Sequence, residues 1–118
     1  MRQAYKDIGL GRKQLNSDPF VQFESWFGEA NGSEAIPNAM SLATVCKSGE
    51  PSLRTVLLKL FDKNGFVFFT NYKSRKAIQL LQNPNAAILF NWVATERQVT
   101  IEGVVEKIDK MESLNYFL

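Results

Sequence analysis

In the run Thr70-Asn71-Tyr72-Lys73-Ser74-Arg75-Lys76, hydroxyl and cationic side chains crowd the point where an apolar strand pattern gives way to a helical one. Arg75 and Lys76 fall in the first turn of the predicted helix, where the positive end of the helix dipole disfavours each cation by roughly 0.3–1 kcal/mol. A phosphate reverses that sign. It accepts from the free N–H groups of the helix start and from the hydroxyls of Thr70 and Ser74 while pairing with both cations. The pattern therefore has two readings: an anion site, or two exposed basic residues that tolerate a small penalty.

Arg54 and Lys59 interrupt an otherwise apolar strand, Leu53-Arg54-Thr55-Val56-Leu57-Leu58-Lys59-Leu60. A charge there needs a partner or a route to solvent, and a bound anion is one such partner. Strict alternation puts the two on opposite faces, so one ligand reaches both only if the strand bulges or twists. Otherwise at least one of them snorkels to solvent. Gln98, following Arg97 at the start of the last strand, offers an amide suited to a planar heterocycle, and is equally an ordinary surface residue.

Composition narrows the chemistry further. With no histidine in 118 residues, Ser-His-Asp, Cys-His and HExxH catalysis are excluded. Cys46 is the single cysteine, so there is no intrachain disulfide and no Cys-rich metal site, and it reads as a small buried apolar residue. No metal site is expected. If the chain catalyses a reaction, the reactive centre is expected to be a bound organic cofactor. A net charge of +2 suits a local anion site better than a nucleic-acid surface. No apolar stretch is long enough to span a bilayer, and the basic N-terminus lacks the apolar core of a secretory signal, which leaves the cytoplasm as the expected location.

The elements that position these residues are legible from periodicity. Arg2 to Asn16 reads as a mobile polar arm, giving an expected division into an arm, 1–17, and one domain, 18–118. Asp18 caps a helix with Pro19 at its first position; Phe20, Phe23, Trp26, Phe27 and Ala30 recur along one core-facing stripe, and Asn31-Gly32 ends it. Strands are predicted over Ala39–Cys46, Ser52–Phe61, Phe66–Thr70, Ala87–Trp92 and Gln98–Ile108, with turns at Lys47–Glu50 and Asp62–Gly65. A short helix, Arg75–Gln82, interrupts them after Ser74. Asp109 and Glu112 start a final helix with a capping-box arrangement. The expected fold class is mainly β with α, five antiparallel strands closing into a small barrel that removes exposed edges.

The same segments resemble the pyridoxamine 5'-phosphate oxidase family along nearly the whole chain. Four pieces carry the resemblance: Arg54 to Lys59, Phe69-Thr70-Asn71 followed by Ser74-Arg75-Lys76, Glu96-Arg97-Gln98-Val99, and Tyr116-Phe117. It implies a split β-barrel homodimer with FMN at the subunit interface. Arg54, Thr55, Val56, Leu57, Leu58, Lys59, Phe69, Thr70, Arg75, Lys76 and Gln98 match FMN-contacting positions, and Ser74 joins them as part of the phosphate motif. Phe69 stands where Tyr is common, which keeps a backbone contact and drops a hydroxyl. Lys59, Tyr116, Arg2 and Tyr5 match substrate-contacting positions, although Gln3 and Ala4 depart from the family's Arg-Arg-Glu-Tyr pattern.

The implied reaction oxidises pyridoxamine or pyridoxine 5'-phosphate to pyridoxal 5'-phosphate by hydride transfer from C4' to flavin N5, with dioxygen reoxidising the flavin and leaving as hydrogen peroxide. Further contacts in the family, including an Arg-x-His pair, come from a more C-terminal segment, so the chain is expected to be truncated at its C-terminus. Two other readings compete: a flavin-binding split-barrel module or remnant without oxidase activity, and a small basic barrel that stacks single-stranded nucleic acid on its aromatics. The third is the weakest, because many aromatics fall at core positions.

Overall fold

The structure, a computed structural model, describes residues 15–69 and 82–106 in full and residues 107 and 115–117 by their backbone. Asp18 is extended and its carboxylate accepts from the Phe20 N–H at 2.9 Å, so helix α1 (Pro19–Asn31) begins at its cap with Pro19 already in place. It ends where Gly32 donates back to Glu29. The strands are β1 (Ala39–Val45), β2 (Pro51–Asp62), β3 (Gly65–Phe69), β4 (Asn85–Trp92), β5 (Arg97–Val104), β6 (Glu106–Lys107) and β7 (Asn115–Phe117), with a 3-10 turn, Val93–Thr95, between β4 and β5. No helix among the described residues is long and apolar enough to cross a membrane.

By contact the chain divides into two compact units, Met1–Pro37 with Asn91–Gln98, and Asn38–Phe90 with Val99–Leu118. In the first, Phe23 and Phe27 of α1 lie 5.7 and 6.1 Å from Trp92, whose indole N–H donates to the Pro37 carbonyl at 2.9 Å. The expected stripe is thus core-facing at Phe23 and Ala30, while Phe20 stays at the surface.

The second unit is the sheet, in the order β5-β4-β1-β2-β3-β7-β6. Strands β1 to β3 form an antiparallel meander and β4 returns beside β1, giving the 4-1-2-3 arrangement of a Greek key. Turn chemistry sets each hairpin: Gly49 takes φ 92 between β1 and β2, and the Asp62 carboxylate accepts from the Asn64 and Gly65 N–H groups between β2 and β3. One face carries the core, with Met40 and Leu42 from β1, Val56 and Leu58 from β2, Phe68 from β3, and Ile88 and Phe90 from β4.

Chain continuity shows why this sheet curls. Strands β5 and β6 lie at opposite ends of the order, yet Val105 alone separates them. Six interstrand gaps in a flat sheet span roughly 29 Å. Two residues of extended chain reach only about 7 Å. The two ends must therefore come together, and the expected antiparallel split-barrel class of mainly β with α holds.

Three expectations are corrected. The last long strand is not continuous to Ile108: it stops at Val104, Val105 is buried with its N–H on the Pro84 carbonyl, and β6 begins on the other edge. The final helix does not extend through Asn115–Phe117, which pair with β3 and β6, so that β6 and β7 together raise the strand count from five to seven. A lone helix of about two turns is marginal in water, whereas a strand there satisfies the backbone groups on the open edge of β3. Cys46 is half-exposed rather than buried, because it opens the tight turn to β2 and its Sγ lies 3.0 Å from the Ser48 hydroxyl. The predicted helix Arg75–Gln82 lies outside the described residues except at Gln82, as does residues 1–14 of the arm.

Candidate cofactor site

The described part of the site is built on β2. Through Leu58 the strand alternates, with Arg54 half-buried and Val56 and Leu58 in the core, while Leu53, Thr55 and Leu57 face out. The side chains of Val56 and Leu58 are only 5% exposed, so they support the strand from beneath and leave it only their backbone to offer a ligand. Arg54 turns toward β1, donating through Nη1 to the Thr44 hydroxyl at 2.8 Å and to the Leu42 carbonyl at 3.2 Å. Those bonds let a cation sit beside the core at small cost.

Lys59 is placed by a break in the ladder. Leu58 pairs with Phe68 and Leu60 with Val67, so Lys59 is an extra residue opposite no partner. A bulge is therefore present at Lys59. Lys59 nonetheless stays on the exposed side with Leu57 while Arg54 lies on the side of Val56 and Leu58, so the bulge does not bring the two cations to one face and Lys59 reaches solvent. The consequence shows in the burial pattern, where Lys59 and Leu60 are both exposed before Phe61 turns back inward. The Lys59 ammonium lies 4.5 Å from the centroid of the Phe69 ring, at the end of β3. Phe69 is half-exposed.

Gln98 is exposed near the start of β5. Before it, Glu96 adopts the left-handed conformation at φ 56, and Arg97 pairs with Glu29 while its guanidinium lies 4.7 Å from the Trp26 ring centroid. Sequence reading missed this cluster, since nothing local links positions on α1 to a strand so far along the chain. The Lys59–Phe69 contact is equally non-local.

Arg2, Tyr5, Thr70, Ser74, Arg75 and Lys76 lie outside the described residues, and Tyr116 is described only through its backbone pairing with Phe68 and Lys107. A shallow groove of about 580 Å³ elsewhere on the sheet is lined by Ala43, Ala86, Ala87, Gly103 and the carboxylate of Glu102, among others. Glu102 makes it a poor anion site, and it includes neither Lys59 nor Phe69.

The described donor set fits a flat ligand that carries a negative charge. It has an exposed ammonium beside an exposed aromatic face, on a strand whose outer side presents Leu57 and Leu60. FMN is such a ligand.

Comparison with known proteins defines first the class and then the family. The fold is that of PhzG from Burkholderia lata, at a TM-score of 0.79 and 26% identity over 88% of this chain and 52% of that one. A pyridoxamine 5'-phosphate oxidase-related, FMN-binding protein from Nostoc punctiforme aligns at a TM-score of 0.68 and 28% identity, over 75% and 48% of the two chains. The chain thus has the split-barrel fold of a known FMN-binding protein.

Residues 33–118 match the family model described as pyridoxamine 5'-phosphate oxidase. A pyridoxine/pyridoxamine 5'-phosphate oxidase of Crocosphaera subtropica is 57% identical over 99% of this chain and 55% of its own length. The chain belongs to the pyridoxamine 5'-phosphate oxidase family, and it spans about half the length of the curated relatives it matches.

Proposed function

We propose that the chain is the FMN-binding portion of an oxidase that converts pyridoxamine 5'-phosphate or pyridoxine 5'-phosphate to pyridoxal 5'-phosphate, with dioxygen as acceptor and hydrogen peroxide as by-product. The observation that carries this reading is the bulge that lifts Lys59 out of the β2 ladder and sets it beside Phe69. A cation is placed there at the cost of a ladder position, and in this family that position meets both cofactor and substrate.

FMN, held by the residues below, would supply the two-electron redox chemistry between substrate and dioxygen. The protein's part is binding and orientation. In this reading Lys59 attracts phosphate or polarises the ring edge, Phe69 and the outer side of β2 pack against the ring, and Gln98 hydrogen-bonds the heterocycle. Arg54 stiffens the strand through Thr44 and Leu42 and adds positive potential. Thr70, Ser74, Arg75 and Lys76 hold the FMN phosphate through their hydroxyls and charges. Arg2, Tyr5 and Tyr116 contact the substrate.

The protein acts as a homodimer in this proposal, a single domain from residue 18 onward working in the cytoplasm. Leu53 and Leu57 are 71% and 53% exposed on one side of β2, which supports a second copy covering that face.

FMN added to the protein is expected to change its visible spectrum, and pyridoxine 5'-phosphate under air to yield aldehyde and peroxide. No spectral response removes the flavin reading. Binding without turnover instead favours a flavin-binding module without oxidase activity.

A further inference from the structure

We propose that Arg97 is a positioning residue: clamped between Glu29 and Trp26 of α1, it fixes the orientation in which Gln98 meets the flavin ring. The inference rests on the flavin reading above and adds to it a device that lies wholly in the unit formed by α1 and the β4–β5 connection.

Gln98 is exposed, and its amide sits at the end of a flexible stem. Its neighbour is anchored. The Arg97 guanidinium is held on one side by the Glu29 carboxylate and on another by the face of Trp26. Successive residues of a strand point to opposite sides, so anchoring Arg97 on α1 sends Gln98 the other way.

The connection leading into this strand is tied at several further points. Both carboxylate oxygens of Glu34 accept from the Ala94 N–H, at 3.2 and 3.4 Å. The Thr95 hydroxyl donates to the Trp92 carbonyl at 3.3 Å, and Trp92 is itself pinned by Pro37, Phe23 and Phe27. Glu96, directly before the clamp, holds the left-handed conformation at φ 56 and ψ 43. That conformation closes the 3-10 turn, with the Glu96 N–H donating to the Val93 carbonyl at 3.1 Å, and fixes the direction in which β5 leaves it. These contacts tie the residue before Gln98 to α1 within one compact unit.

The test compares FMN and riboflavin affinity, and the reduction potential of bound flavin, in Gln98→Leu, Arg97→Leu, Trp26→Leu and the Arg97→Leu/Gln98→Leu pair. Gln98→Leu is expected to weaken FMN and riboflavin by the same factor, about tenfold, as for one lost hydrogen bond to the ring. Arg97→Leu and Trp26→Leu should weaken both flavins equally, by roughly three- to tenfold, and move the potential in the same direction as Gln98→Leu. Once Gln98 is gone, Arg97→Leu should add nothing. Arg97→Lys should restore part of the loss.

An Arg97→Leu effect that persists in full beside Gln98→Leu overturns the clamp while the flavin reading stands, as does a bound-flavin potential that Arg97→Leu leaves unchanged. Wild-type protein that binds neither flavin removes both. If Arg97→Leu does not fold by circular dichroism, Glu29→Gln carries the same comparison with the smallest change in shape.

Discussion

Deleting Lys59 should leave the sheet intact and cost the protein its ligand. Leu58 pairs with Phe68 and Leu60 with Val67, so removal of the intervening residue makes those two pairs consecutive and the ladder regular, with Leu58 and Phe61 keeping the faces they have now. Folding stability is then expected to change by no more than about 1 kcal/mol. The lost ammonium is another matter: a hydrogen bond between charged groups contributes about 1.5–3 kcal/mol, which predicts an FMN dissociation constant raised roughly ten- to hundredfold.

Deletion of Leu57 is the control, because it removes one residue from the regular part of the same strand. Either Val56 leaves the core face, or Lys59 is drawn into the place of Leu58. The first costs about 1.5–3 kcal/mol for each displaced apolar side chain. The second buries an unpaired charge. Urea unfolding followed by far-UV circular dichroism measures stability, and flavin fluorescence quenching measures binding. If the two deletions destabilise alike, Lys59 is not the extra residue of a bulge. If deletion of Lys59 leaves FMN affinity at the wild-type value, the bulge serves something other than this ligand.

Three other outcomes are expected. Trp92→Phe should cost about 2 kcal/mol in urea unfolding, because it removes the 2.9 Å bond to Pro37 together with ring area that is 1% exposed. Asp18→Ala should cost about 1 kcal/mol by the loss of the cap on α1, checked by the same unfolding curve. The Ser48 hydroxyl, followed by the Glu50 backbone, holds the Cys46 thiol below its ordinary pKa. Since the folded pKa is the lower one, the associated stability is present above the ordinary thiol pKa and disappears as pH falls through the folded value. Ser48→Ala should therefore shift the pH profile of Cys46 alkylation upward, and an unmoved profile removes the role of the hydroxyl.

Sequence and structure divide the explanation of this protein unevenly. Local chemistry was legible: Asp18-Pro19 starts a helix, Gly49 and Asp62 make turns, and Phe23 and Ala30 recur on the buried stripe, because each depends on neighbours within a turn or two. That Arg54 and Lys59 face opposite sides of β2 was legible as well, and a bulge was one of the options it left open. The position of the bulge was not legible, because a bulge is defined only by the register of β2 against β3.

The tail shows the same limit. Asp109 and Glu112 satisfy a local helix rule, yet Asn115–Phe117 pair as strand, since the open edge of β3 offers backbone partners that no local pattern records. The clamp of Arg97 between Glu29 and Trp26 likewise joins α1 to the start of β5. What the sequence determined by itself was the inventory, cations, hydroxyls and aromatics without histidine, and the short elements that carry it. Which cation leaves the ladder, which arginine is anchored and which edge is covered were decided by tertiary structure, because pairing register and long-range contact arise only when distant segments meet.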